Sequence, residues 1–235
     1  MTASPARRFY KQVAVTGTAA PFSVALDERS LRTPLKRSLD LPTRPLAEAV
    51  ASEWAAQAEK IDPHSMPYTK LANTALDRVS TSRERIIGEI VDFTGSDLVC
   101  YRAEKPQDLI ERQARAWQPV LDWARSAIGA EFQVTEGIVH IEQPAASLEA
   151  MRNYLAGKSP WALTAQHNIT TLTGSALIAA MACEGGILPA EAWLAAHVDE
   201  DWQIEQWGPD EEARHRRDYR KREFDICLRF CELSK

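Results

Sequence analysis

Cysteine is scarce in this chain, and what there is does not pair. Cys100, Cys183, Cys227 and Cys231 are the four present, and no Cys-x-x-Cys spacing occurs. That speaks against a disulfide scaffold or a zinc finger and for reduced thiols in a cytosol-like compartment. Histidine is equally sparse: His64, His140, His167, His197 and His215 stand apart, without His-x-x-x-His or Cys/His ligand spacing. No metal and no other cofactor is expected. Long hydrophobic runs are missing too. The longest, residues 175–183, falls far short of a membrane span, and the first fifteen residues hold no apolar core of a secretory signal. Arg7 and Arg8 are too few for a transit peptide. Basic excess is also absent, since the formal net charge is −5, which argues against nucleic acid as a partner.

Motifs of catalysis are missing as well. Gly157-Lys158-Ser159 ends like a phosphate loop, but Arg152 stands where the first glycine belongs and no strand precedes it. Without that glycine the backbone cannot curl its N–H groups around a phosphate, so no nucleotide is expected. Ser159, Ser175 and Cys183 lie in no nucleophile motif. Nothing here reads as an enzyme.

What is present is a soluble composition, 45% hydrophobic and 26% charged over 235 residues, long enough for a sizeable core. The pattern predicts an α+β chain: a small N-terminal antiparallel β domain (residues 1–42), then a larger, mainly α-helical domain (residues 43–235) with one β-hairpin. Residues 9–15 and 22–26 read as paired strands, and Asp27-Glu28-Arg29 as a turn into residues 30–33. Residues 36–41 read as a further strand. After Pro42, Thr43 and Pro45 open an Ala-rich helix. Helices are expected over 68–79, 82–93 and 107–128, the last with Pro119 inside, where a kink or a break is expected. Residues 132–135 and 138–142 flank Glu136-Gly137 as the hairpin. Residues 146–156 and the apolar 160–183 read as helices, the latter central to a bundle. Residues 223–231 fit strand or helix.

The chain is organised around residues 190–222. Leu194, Val198 and Trp202 recur at helical spacing until Gly208-Pro209 stops the pattern. Asp199, Glu200, Asp201, Glu205, Asp210, Glu211 and Glu212 come one after another with no Lys or Arg between them. Arg214, Arg216, Arg217, Arg220, Lys221 and Arg222 then answer. Such blocks are ordinarily a solvated helix pair. Trp202 and Trp207 among the acids point instead to partner recognition, where aromatic rings give area and charges steer approach. A hydrolase using the 199–212 carboxylates, or a scaffold for another protein, are the alternatives.

Three stretches together resemble one family: Tyr68-Thr69-Lys70-Leu71-Ala72-Asn73-Thr74-Ala75-Leu76-Asp77-Arg78-Val79, then Asp97-Leu98-Val99-Cys100-Tyr101-Arg102-Ala103, then Gln203-Ile204-Glu205-Gln206-Trp207-Gly208 with acids on both sides. The chain is similar to the assembly chaperones of the F-type ATP synthase catalytic head that act on the α subunit, found in mitochondria and α-proteobacteria. The resemblance implies a β domain followed by a helical domain and a molecular chaperone that holds unassembled α subunit until β subunits replace it. The compartment it implies is the bacterial cytoplasm, or the mitochondrial matrix for a processed form. It implies Glu200, Asp201, Glu205, Trp207 and Glu211 as partner-binding residues. Asn73, Asp77, Arg78, Asp97, Tyr101 and Arg102 are expected as a structural network.

Overall fold

Alternation builds the first sheet. In β1 (Val13–Thr16) the two valines are half-buried while Ala14 and Thr16 are exposed, and β2 (Ser23–Leu26) pairs with it antiparallel, Val13 opposite Leu26 and Thr16 opposite Ser23. Asp27 turns the chain with φ 54°, its carboxylate receiving the backbone N–H groups of Lys11 and Gln12, and β3 (Arg29–Ser30) adds to the other side of β2. Residues 36–41 meet this sheet only through isolated bridges, Arg32 to Ser38 and Phe22 to Leu41. Pro34 and the positive φ of Lys36 interrupt the ladder, though Leu39 and Leu41 are still buried.

The structure, a computed structural model, describes residues 6–235. The chain divides into two compact units. One comprises the residues up to Arg83 with Pro160–Thr164 and Arg229–Lys235; the other comprises Glu84–Ser159 and Ala165–Leu228.

In the first unit, α1 (Arg44–Ala55) starts where expected. Thr43 accepts the N–H of Leu46 and Pro45 fills the first turn, where a missing N–H costs nothing. It lays Leu46, Ala47 and Val50 against β1 and β2. α2 (Pro67–Thr74) has no cap of its own. Glu53 of α1 supplies one, accepting from the N–H groups of Tyr68 and Thr69 and the Thr69 hydroxyl at 2.6–2.8 Å. α2 continues as a wider π turn, Ala75–Val79, in which the Ser80 N–H reaches the Ala75 carbonyl.

The second unit is helical. Its α3 (Arg83–Gly95, whose first residue belongs to the other unit) buries Ile86, Ile87, Ile90 and Val91, and α4 (Gln107–Trp123) buries Gln113, Trp117, Val120 and Leu121. α4 runs through Pro119 without a break, continues as a π turn over Ala124–Ile128, and stops at Gly129 with φ 74°. Next in the chain is α5 (Ala145–Ala156). The expected single helix over 160–183 is two, α6 (Pro160–Thr173) and α7 (Ala176–Cys183). Gly174 takes φ 72°, which a residue with a Cβ resists, and Ser175 then caps α7 by accepting from the Ile178 N–H. α7 is the apolar centre. Leu177 and Ile178 are fully buried, each contributing about 1.5–3 kcal/mol by leaving water.

The second sheet corrects the expected hairpin. β4 (Tyr101–Arg102) pairs in parallel with β5 (Thr135–Glu136), and residues 138–142 form no strand. Ile138 and Val139 stay exposed, at 98% and 73%, and the Gln133 backbone N–H and carbonyl that a hairpin ladder would use are taken instead by the Gln143 side chain, at 2.8 and 3.0 Å. Residues 223–231 are helix, within α10 (Glu211–Leu233). The α+β class thus stands, with a small antiparallel sheet near the N-terminus and a mainly helical remainder. No helix among the described residues is long and apolar enough to cross a membrane.

Candidate functional site

The acidic stretch begins at a break the sequence did not announce. Periodicity predicts one helix from 191 to 206, but α8 (Pro189–Ala196) ends at His197 and α9 (Val198–Trp207) starts anew. His197 is buried and stacks on Trp193 with ring centroids 3.7 Å apart. Burial first, then the cations Arg220 and Arg217, pull its pKa down against the Trp193 carbonyl and Glu200, so the ring is neutral. Its contacts fix the tautomer: Nδ1–H donates to the Trp193 carbonyl at 2.8 Å, and Nε2 accepts from Arg220 at 3.1 Å. His197 thereby ties the end of α8 to α10.

α4 is the platform on which α9 and the end of α8 rest, through three residues. Arg112 pairs with Glu205 at 2.7 Å and lies over the Trp202 ring at 5.1 Å. Gln113, buried, donates to Asp199 at 2.7 Å and accepts from the Ala103 N–H at 2.7 Å, so one side chain holds both α9 and the end of β4. Trp117 donates from its indole to the Ala195 carbonyl at 2.6 Å. From the other side, Arg217 of α10 contacts Asp201 and Glu200, and Arg220 reaches Glu200 at 3.9 Å.

Even so, α9 buries none of its residues, whereas α8 buries Ala192, Trp193 and Ala195. Two open cavities flank it. One, about 540 Å³, has Ala116, Pro119, Met181 and Leu194 among its lining, with Asp201 and Glu205 at its edge. The other, about 410 Å³, is bordered by Lys105, Leu109, Ile138, Trp202 and Trp207. Trp207, the last residue of α9, is 78% exposed. Gly208 turns the chain with φ 83°, and Asp210 caps α10 by accepting the Ala213 N–H at 2.7 Å. Glu211 stands in solvent, 3.9 Å from Arg214.

The expected partner-binding residues therefore share one helix pair but differ in setting. Asp201 and Glu200 are held by arginines of α10, Glu205 by a half-exposed Arg112, and Trp207 and Glu211 face water. Ile138, Lys105, Leu109 and Arg112 border the same surfaces and escaped sequence reasoning. Ile138-Val139, an apolar pair directly after Gly137, was the one local signal.

The network residues fall into both units. In the first, Asp77 accepts from the Thr33 hydroxyl at 2.7 Å and the Leu35 N–H at 3.0 Å. Arg78 is exposed, and the Asn73 Oδ1 has no hydrogen-bond partner among the described residues. In the second, Tyr101 meets His140 at 3.2 Å, and Arg102 donates to the Gln113 carbonyl at 2.7 Å beneath the Trp117 ring, its pKa lowered by burial. Asp97 is fully buried and accepts from the N–H groups of Val99 and Leu177, joining α7 to the strand entry.

Burial pushes Asp97 from 3.8 up to about 6, against the bonds from Ser175, Leu177, Val99 and Ala176 that favour its charge. A carboxyl raised in the folded state contributes stability that is full below the unfolded pKa of about 3.9 and lost as pH rises through about 6, a span of about 3 kcal/mol. Urea unfolding at pH 5 and pH 8 is expected to show about half of that loss in the wild type, about 1–2 kcal/mol, because pH 5 already lies above the unfolded pKa. Asp97→Asn, which cannot titrate, is expected to show a step smaller by most of it. Equal steps in both proteins would refute the assignment.

Chemistry finds little to work with here. Among the described residues no group of three His, Cys, Asp or Glu converges as metal ligands. The four cysteines are buried, and burial pushes the Cys100 thiol up to about 12. Lys158, the would-be phosphate-loop lysine, is taken up by Glu184 at 2.8 Å and comes after a helix rather than a strand.

Residues 7–125 match the family model described as ATP12 chaperone protein. Protein atp12, mitochondrial, of Schizosaccharomyces pombe is 24% identical over 219 residues, covering 88% of this chain and 75% of its own length. The crystal structure of Atp12 from Paracoccus denitrificans superposes with a TM-score of 0.93 at 37% identity, over 98% of this chain and 99% of that one. A mutant of P. denitrificans Atp12p superposes with a TM-score of 0.94 at 37% identity, over 99% of this chain and 100% of that one.

Proposed function

The chain belongs to the ATP12 chaperone protein family, and from that premise we propose that it is an assembly chaperone of the F-type ATP synthase catalytic head. It binds unassembled α subunit and prevents its aggregation until β subunits take its place. It works in the bacterial cytoplasm, or in the mitochondrial matrix for a processed form, and consumes no nucleotide. The observation that carries the reading is α9, a ten-residue helix with no buried residue, acids along its length and an exposed tryptophan at its end. An orphan subunit exposes apolar and charged surface meant for its neighbours, which is an aggregation liability. A surface that covers it reversibly needs aromatic area together with charges that can exchange partners.

Glu200, Asp201, Glu205, Trp207 and Glu211 form this docking surface, in two roles. Glu205, Trp207 and Glu211 meet the client. Glu200 and Asp201 add negative field there, while their contacts with Arg217 keep α9 and α10 together. Mixing the purified chain with isolated α subunit is expected to give a stoichiometric complex on gel filtration and to suppress light scattering without nucleotide. Glu205→Lys is expected to weaken that complex about tenfold by turning a charge toward like charge. The same change leaves thermal stability nearly unaltered, because a half-exposed pair such as Arg112–Glu205 is worth about 0–1 kcal/mol. Wild-type affinity in Glu205→Lys would remove the site assignment. A stable fold that gives no complex with α subunit would hand this surface to a different protein.

A further inference from the structure

The helix formed by the Tyr68-to-Val79 motif takes no part in the acidic surface, yet it borders a cavity of its own. In the first unit, about 400 Å³ of space lies beside α2, walled by Pro34, Ile61, Pro63 and Met66 and closed by Trp54 and by one face of α2. That volume is within the range of about 300–1,000 Å³ typical of ligand sites. The α2 face contributes Thr69, Lys70, Asn73 and Thr74. Two of these are committed within the chain, the Thr69 hydroxyl to Glu53 and the Thr74 hydroxyl to the Lys70 carbonyl.

Two polar atoms of the lining residues are not. Trp54 Nε1, a donor, and Asn73 Oδ1, an acceptor, are both shielded from water and have no hydrogen-bond partner among the described residues. Buried donors and acceptors are ordinarily paired, and an orphan costs free energy. Finding one of each at a single apolar cavity is the complement of a peptide group, which offers one acceptor and one donor. Lys70 stands exposed on the rim and makes no ion pair among the described residues.

We infer that this cavity is a second, peptide-binding contact for the client. It seats an apolar side chain of the α subunit, pairs the adjoining backbone amide with Trp54 and Asn73, and sets a client carboxylate against Lys70. Neither polar atom is open to solvent, so the pairing requires the indole edge and the Asn73 amide to turn toward the cavity as the peptide enters. The inference rests on the reading of this chain as an α-subunit chaperone.

Trp54→Phe and Asn73→Leu test it, since each removes one unpaired atom while keeping the bulk of the side chain. Both variants are expected to unfold at the wild-type temperature or above it, yet to bind isolated α subunit about tenfold more weakly, the worth of one hydrogen bond to a buried group. Lowered unfolding temperatures with wild-type affinity would make these groups purely structural and overturn the inference. Photocross-linking separates it from the premise. Benzoylphenylalanine in place of Lys70 is expected to capture α subunit, as is the same group in place of Trp207. Capture only from position 207 would overturn this cavity and leave the acidic surface standing. Failure of the unmodified chain to form any complex with α subunit would overturn both.

Discussion

Trp207→Ala is expected to cost at least thirtyfold in affinity for isolated α subunit, about 2–4 kcal/mol, with no fall in unfolding temperature. The expectation comes from contrast. Six of the chain's seven tryptophans are buried or partly so, and Trp207 alone is 78% exposed. A ring left in water at the end of a helix contributes almost nothing to folding, so its removal leaves the protein intact. At an interface the same ring is the type of residue that dominates, because it leaves water as one rigid block. It borders the cavity that also holds Ile138 and Trp202, so a client side chain placed there meets three large apolar groups. Trp207→Phe is expected to recover part of the loss. Titration of α subunit by calorimetry, beside a thermal melt, checks both halves. A destabilised variant with undiminished affinity would assign the ring to the fold.

Trp117→Ala is expected to destabilise the protein by about 4 kcal/mol in urea unfolding. The side chain is fully buried, and truncating such a residue forfeits its transfer free energy and leaves a cavity, at about 3–5 kcal/mol. Its indole N–H also satisfies the Ala195 carbonyl, which would be left without that donor. Trp117→Phe keeps most of the volume and loses that bond, so about 1–2 kcal/mol is expected from it. A loss below about 1 kcal/mol in Trp117→Ala would mean that α4 does not anchor the end of α8. The bond matters to the surface because Ala195 precedes His197, where the chain turns into α9.

Local signals were the legible ones. Thr43 and Pro45 marked the start of α1, and the alternating valines of residues 13–16 marked a strand, because capping and pleating act between near neighbours. Misreadings came where a distant residue decided. Residues 132–135 read as half of a hairpin, but the partner is β4, supplied from before α4. The apolar run 160–183 hid its division because Gly174 carries no polarity, only the freedom to take φ 72°. Residues 223–231 fit two periods at once, and Phe224, Cys227 and Cys231 proved to lie on the buried face of a helix. The same holds for the candidate site. The run of acids and its two tryptophans could be read directly. That Arg112 and Gln113 reach them from α4 could not, because ion-pair partners so remote leave no pattern in the sequence.

Glu205 already has a partner in Arg112, so under the proposed docking a client guanidinium would trade one ion pair for another instead of adding to the total. The displaced Arg112 need not return to bulk water, because the face of Trp202 lies 5.1 Å beneath it. Under the proposed function such a swap is nearly level in free energy, so a handover to an incoming β subunit would require no fuel, the internal arginine closing again behind the departing client.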